Sequence, residues 1–281
     1  MKRVVPLVLV CLLLGACGRG LDSPDATKES GASATAAPLP DVEKLVRRVV
    51  TFDGCRDFTA EMRMTAQDAA GKREQVEFKV QRKFGPTQAM TFLTVVSPRE
   101  DSDKALLAIE KADQATEAFS YLAGLKRLAK MSSDRQLGFR GAKVTVQELL
   151  GMELGQYEHS AGERVAEGGQ ALIRVEFKGK PDRSLAFPRI VGYFDEKAEA
   201  PARFELFDER DELLKRVVIE EAKPVQNRLT VTRVSIDDVL QKLKVQLEMR
   251  RVEYDRGIAD SIFTENHLKS FITSAGQRLI Q

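Results

Sequence analysis

The chain reads as a mainly β protein, an α+β fold built on an antiparallel sheet with a few short helices. Three observations predict this. Segments of strict apolar–polar alternation recur along most of its 281 residues, the period-2 mark of half-buried strands. Glycine and polar turn residues separate the clearest of them at hairpin spacing. Helical stripes are confined to three short places.

The first segment is not part of that fold. Met1-Lys2-Arg3 is followed by an apolar run from Val4 to Leu14 and by Gly15-Ala16-Cys17. A positive start, an apolar stretch and small residues before a cut form a secretory signal. The run is far short of the ~20 residues that span a bilayer. A cysteine at the cut resembles the lipobox of bacterial lipoproteins, and the resemblance implies that Cys17 is acylated and becomes the first mature residue. Residues 1–16 then form the signal peptide and 17–39 a lipidated cysteine with a tether. The Ala/Ser/Thr/Gly/Pro-rich stretch from Arg19 to Leu39 has almost nothing to bury, and its length gives a reach of roughly 25 Å. Gly18, where an inner-membrane lipoprotein often carries Asp, favours the outer membrane facing the periplasm of a bacterial envelope.

Residues 40–281 form the folded body. Asp41 can cap a helix that carries Val42, Leu45, Val46 and Val49 on one stripe, with Leu39 and Leu45 as a hydrophobic staple. Phe58, Ala60, Met62, Met64 and Ala66 then alternate with polar residues. After Gly71-Lys72, Val76, Phe78 and Val80 do the same, giving a hairpin with one apolar and one wet face. Met90–Val96 is more evenly apolar. Leu106–Ile109, Phe119–Leu122, Ile173–Phe177, Phe204–Leu206, Val217–Ile219, Leu229–Val231 and Leu243–Met249 complete about ten strands. In the last, apolar parity shifts from odd to even at Val252 and Tyr254, which predicts a β-bulge near Arg250-Arg251. Thr145 and Glu148 form a capping box flanked by Val144 and Leu149, and Thr264 caps a final helix carrying Leu268, Phe271 and Ile272.

Three short helices cannot cover ten apolar strand faces. Either the sheet folds on itself as a closed sandwich or barrel, or it curls partway and leaves an apolar hollow. Such a hollow would accept an acyl chain. The candidates to line it are Phe58, Met62, Met64, Val76, Phe78, Val80, Phe92, Phe177, Val245 and Leu247.

Chemistry-bearing motifs are sparse. The chain has 44 basic and 42 acidic residues, and loss of Lys2 and Arg3 makes the balance even, which argues against nucleic acid as a partner. With Cys11 removed and Cys17 modified, Cys55 stands alone and no intrachain disulfide forms; it reads as a small buried apolar residue. His159 and His267 lack metal-ligand spacing. No triad, nucleophile elbow or phosphate loop is present, so the expectation is a non-enzyme without cofactors.

One stretch carries a family resemblance. Phe119–Arg135 continues through Gly138-Phe139-Arg140-Gly141 to Gln147-Glu148-Leu149. It resembles the LolA-like family of outer-membrane lipoprotein-sorting proteins. Tyr121-Leu122, Leu125-Lys126-Arg127, Ser133-Asp134-Arg135, Phe139-x-Gly141 and Glu148-Leu149 match the family pattern, while Ala123 and Gly138 depart from its proline and serine. Arg256–Phe263 is similar to the family's close. The resemblance implies a curved antiparallel sheet forming a half-open β-barrel, with short helices as a lid over a cavity for the acyl chains of a lipid or lipoprotein. With the lipobox, the topology is that of a lipidated, LolB-like acceptor, and relatives point to an RND-type transporter as partner. The same fold also serves envelope sensors that bind a membrane protein, which is the alternative.

Lys126, Arg127, Lys130 and Arg135 form a basic run broken by Leu125, Leu128 and Met131. Two readings stand: a phosphate head-group site at the cavity mouth, or a solvated loop of helical character.

Overall fold

The computed structural model describes residues 39–280 apart from 52–53, 112–113, 115, 123–126, 132–134, 140–141, 147–149, 151–153 and 182–184. Cys17, nearly all of the tether, Lys126, and Glu148-Leu149 of the expected capping box lie outside the described residues.

Helix α1 (Val42–Thr51) starts where expected: the Asp41 carboxylate accepts the Lys44 amide at 3.3 Å. Val42, Leu45 and Val46 are buried, whereas Leu39 is 42% exposed. Strands β1 (Asp57–Gln67), β2 (Arg73–Phe84), β3 (Gln88–Ser97), β4 (Ala105–Lys111), β5 (Glu117–Leu122) and β6 (Arg127–Met131) follow as a meander. After them come the small hairpin β7 (Gln136–Phe139) and β8 (Ala142–Thr145), then β9 (Tyr157–His159), β10 (Glu163–Glu167), β11 (Gln170–Gly179), β12 (Arg189–Asp195), β13 (Ala200–Phe207), β14 (Leu213–Val225), β15 (Arg228–Asp238) and β16 (Leu243–Tyr254). Helix α2 (Glu265–Ile280) closes the body, its Thr264 hydroxyl accepting the His267 amide at 3.1 Å.

All but β7 and β8 join one antiparallel sheet of 14 strands. Its order is β10-β11-β12-β13-β14-β15-β16-β1-β2-β3-β4-β5-β6, with β9 beside β11. The end strands β10 and β6 do not pair, so the sheet curls without closing. The predicted bulge is present: Thr59 faces Glu253 while Glu61 faces Arg250, leaving two residues of β16 opposite Ala60. Arg251 there takes φ +48°, the local kink that re-aims Val252 and Tyr254 inward.

More strands exist than the alternation revealed. Arg127–Met131, expected as a head-group loop or a helical loop, is a strand paired with β5, Tyr121 opposite Leu128. Strand β12 escaped because Gly192 interrupts its apolar pattern. A Cβ on Gly192 would lie 3.0 to 3.1 Å from the rings of Phe194, Phe204 and Phe177, so the missing side chain is what lets three fully buried rings meet.

The sheet has two differently covered faces. The inner one carries the main core, and α1, Val146, Leu150, Leu154, Tyr157 and Phe187 pack into the same cluster. On the outer face of β3–β6, α2 covers a second cluster built on Phe92, Leu107, Phe263, Leu268 and Ile272. Elsewhere that face carries ion pairs between strands, such as Arg63–Glu77 at 2.7 Å and Arg203–Glu167 at 2.8 Å.

Candidate functional site

The inner face is an apolar strip several strands wide. Phe58, Met62, Met64, Val76, Phe78, Val80, Phe177, Val245 and Leu247 all belong to its cluster, none more than 3% exposed. Register explains the convergence: Met62 faces Phe78 on β2 and Met249 on β16, and Met64 faces Val76 and Leu247.

Phe92 does not join them. Leu93 faces Val80, and Val95 faces Phe78, so these two point inward and Phe92 points to the other side. There it lies under α2, its ring 4.9 Å from His267 and 5.8 Å from Phe271. Both faces of β3 are covered, which is why its sequence is evenly apolar.

Charged groups sit at the two ends of this strip. At one end Arg82 is 7% exposed. Its guanidinium donates to Glu110 at 3.0 Å, to the Thr91 hydroxyl at 3.2 Å and to the Leu150 carbonyl at 2.9 Å. Arg82 therefore ties β2, β3 and β4 to a covering segment that is far away in sequence. Nearby, the Thr230 and Tyr254 hydroxyls are 2.9 Å apart. Cys55 is buried, and burial pushes its thiol up to about 11, so it holds no thiolate at neutral pH. At the other end Lys215 and Asp238 pair at 3.2 Å, both completely buried, with Asp238 also accepting the Gln241 amide at 2.8 Å.

The sequence carried a signal for both charged ends. Arg82 continues the parity of Val76, Phe78 and Val80, Glu110 that of Leu106 and Ala108, Lys215 that of Val217 and Ile219, and Asp238 that of Val234 and Ile236. A charge in phase with an apolar face is a buried charge that needs a partner.

The basic run is less focused. Arg127 and Lys130 are exposed on the edge strand β6, and Arg135 is exposed just before β7. Lys130 pairs with Glu117 and, through that hydrogen bond, holds the Glu117 carboxyl below its usual range. The Arg135 carbonyl accepts the Val146 amide at 3.1 Å, at the start of the covering segment. Among the described residues no cluster of His, Cys, Asp and Glu could hold a metal ion.

Known structures share this architecture. A DUF1329 family protein from Desulfovibrio piger superposes with a TM-score of 0.73 at 17% identity, covering 82% of this chain and 100% of that one. A domain described as an outer membrane lipoprotein-sorting protein, from Vibrio parahaemolyticus, gives 0.69 at 19% identity, covering 77% and 93%. A LolA superfamily protein from Nitrosomonas europaea gives 0.68 at 15% identity, covering 81% and 99%. The fold is thus LolA-like, as the motif between Phe119 and Leu149 implied. No curated protein matches the sequence. A family model described only as an uncharacterized protein matches residues 87–270. More than half of the chain falls within that match, and the chain belongs to that family of uncharacterized proteins.

Proposed function

We propose that this protein is a non-enzymatic carrier or acceptor that takes the acyl chains of a lipid or lipoprotein into its apolar interior, held at the bacterial envelope by a lipid on Cys17. One observation carries the reading. The inner face of the sheet is apolar across many strands, and among the described residues it is covered by a short helix together with Val146, Leu150, Leu154, Tyr157 and Phe187. A cover of that kind moves at far lower cost than a packed sheet, because few of its backbone hydrogen bonds belong to the ladder.

The Arg82 contact to the Leu150 carbonyl supports the same reading. It fastens the covering segment to the sheet by a charge-assisted hydrogen bond, one that an acyl chain lifting that segment would have to break. The likeness to a lipoprotein-sorting domain and to a LolA superfamily protein agrees with a binding role. Transfer would run mouth to mouth, the chain leaving one apolar interior for another without crossing water. The donor would be an RND-type exporter or a soluble carrier, and the site of action the outer membrane, consistent with Gly18 after the lipidated cysteine. Arg127, Lys130 and Arg135 would meet the phosphate of the incoming head group.

The test is native mass spectrometry of the protein purified from a bacterial envelope after Cys17→Ser. A co-purifying phospholipid or acylated peptide supports the carrier. An apo mass, together with no uptake of a fluorescent phospholipid in titration, overturns it.

A further inference from the structure

One attachment of the polar face of α1 to the sheet runs through a histidine. The ring of His159 on β9 lies between two acceptors: Nδ1 is 3.1 Å from the Ser160 carbonyl and Nε2 is 3.0 Å from the Glu43 carboxylate on α1. Carbonyl and carboxylate only accept hydrogen bonds. Both contacts are made together only if both ring nitrogens carry protons, that is, by the imidazolium; a neutral ring donates once. The geometry itself thus selects the charged form.

We propose that His159 is a proton-gated clasp on α1: protonated, it binds the helix to β9 through Glu43, and on deprotonation one of the two contacts is lost and the helix loosens. Among the described residues, three elements face the clasp. Phe177 from β11 lies against the ring at 6.1 Å. Glu158 and Lys178, opposite one another across β9 and β11, belong to the alternate face of that strand pair. On α1 itself Lys44 is engaged by Glu199 at 3.2 Å.

Partial burial disfavours the charge on His159, but the Ser160 carbonyl and the Glu43 carboxylate outweigh it and hold the group above its ordinary value of 6.5. A raised value in the folded state means stabilisation that is complete below 6.5 and lost as pH rises through the raised value. The clasp is therefore closed in acid and opens as pH rises through that raised value.

The helix is poised to respond. At 10 residues it is shorter than the ~12–15 at which helices persist alone. It keeps the burial of Val42, Leu45 and Val46 and the Lys44–Glu199 pair when the clasp opens, so it loosens rather than leaves. Because α1 packs into the apolar cluster of the inner face, the consequence for access rests on the carrier reading; the clasp itself does not.

Hydrogen–deuterium exchange of the mature chain carrying Cys17→Ser tests it, with β1 amides as the internal standard. With Glu43 60% and His159 26% exposed, the protection of α1 relative to β1 should fall about two- to fivefold from about pH 5.5 to about pH 8.5. Glu43→Gln, at an exposed site that leaves the fold intact, should remove that dependence and lower the pH at which the His159 ring titrates by NMR. A wild-type ratio that does not change with pH, or a dependence undiminished in Glu43→Gln, overturns the clasp whether or not the protein binds lipid.

Discussion

Replacing Arg82 with Leu should be among the most destabilising single changes on the inner face, and adding Glu110→Leu should restore most of the loss. The guanidinium is 8% exposed and the Glu110 carboxylate 14%. Removing one member of a buried pair leaves the other desolvated without compensation, which costs about 3–5 kcal/mol. Because Glu110 retains some contact with water, the low end, about 3 kcal/mol, is expected for Arg82→Leu. For a domain of this size that is a melting temperature lower by roughly 6–12 °C. Exchanging a whole buried pair for apolar side chains is often neutral or stabilising. The double variant should therefore lose only what the Leu150 carbonyl and the Thr91 hydroxyl give up, about 1–2 kcal/mol. Urea unfolding of the wild type, both singles and the double gives the coupling directly. If the double variant is as unstable as the sum of the two singles, the pair is not a unit and the argument from burial fails. An Arg82→Leu protein that melts with the wild type would refute it outright.

Three further outcomes follow from the packing and the N-terminal sequence. Gly192→Ala should cost about 1–3 kcal/mol in urea unfolding, because the new methyl meets three fully buried rings at 3.0 to 3.1 Å; a neutral result would mean the rings can shift. Met62→Glu places a carboxylate at a site 1% exposed and should unfold the body or lower its melting point sharply, whereas Thr59→Glu on the other face should change stability by about 0.5 kcal/mol or less; equal melting curves would show the faces to be misassigned. Cys17→Ser should abolish palmitate labelling in cells and free the mature chain from membranes, and undiminished label in that variant would end the lipoprotein reading.

Much of the fold was legible because a half-buried strand writes its burial in alternate letters. Phe58–Ala66 and Val76–Val80 kept their faces, and the parity change after Met249 located the bulge at Arg250-Arg251. Legibility failed where burial is not one-sided. Strand β3 is covered on both faces, so nothing in its own residues says that Phe92 faces α2 and Leu93 the inner core. It failed again on the exposed edges: Glu163–Glu167 and Arg127–Met131 bury little, and their strand character comes from the neighbour they pair with. The site was half visible. Its apolar members announce themselves by period, but its charged members do not, because a charged letter on its own reads as an exposed one. Arg82, Glu110, Lys215 and Asp238 keep the period while changing the chemistry, and only the partner across the sheet explains each.

The position of β16 has a consequence for how the chain reaches this fold. Its longest ladder partner is β1, with Phe58 opposite Tyr254 and Gln67 opposite Lys244. The centre of the sheet is thus a seam between the two ends of the sequence. Contacts of such separation are made late, since a loop of nearly the whole body must close before they repay its entropy. Until residue 254 is available, strands β1–β6 and strands β9–β15 are two separate half-sheets, each with a bare edge along the seam. The nascent chain carries two bare strand edges for nearly all of its synthesis, and the last strand to arrive is the one that joins them.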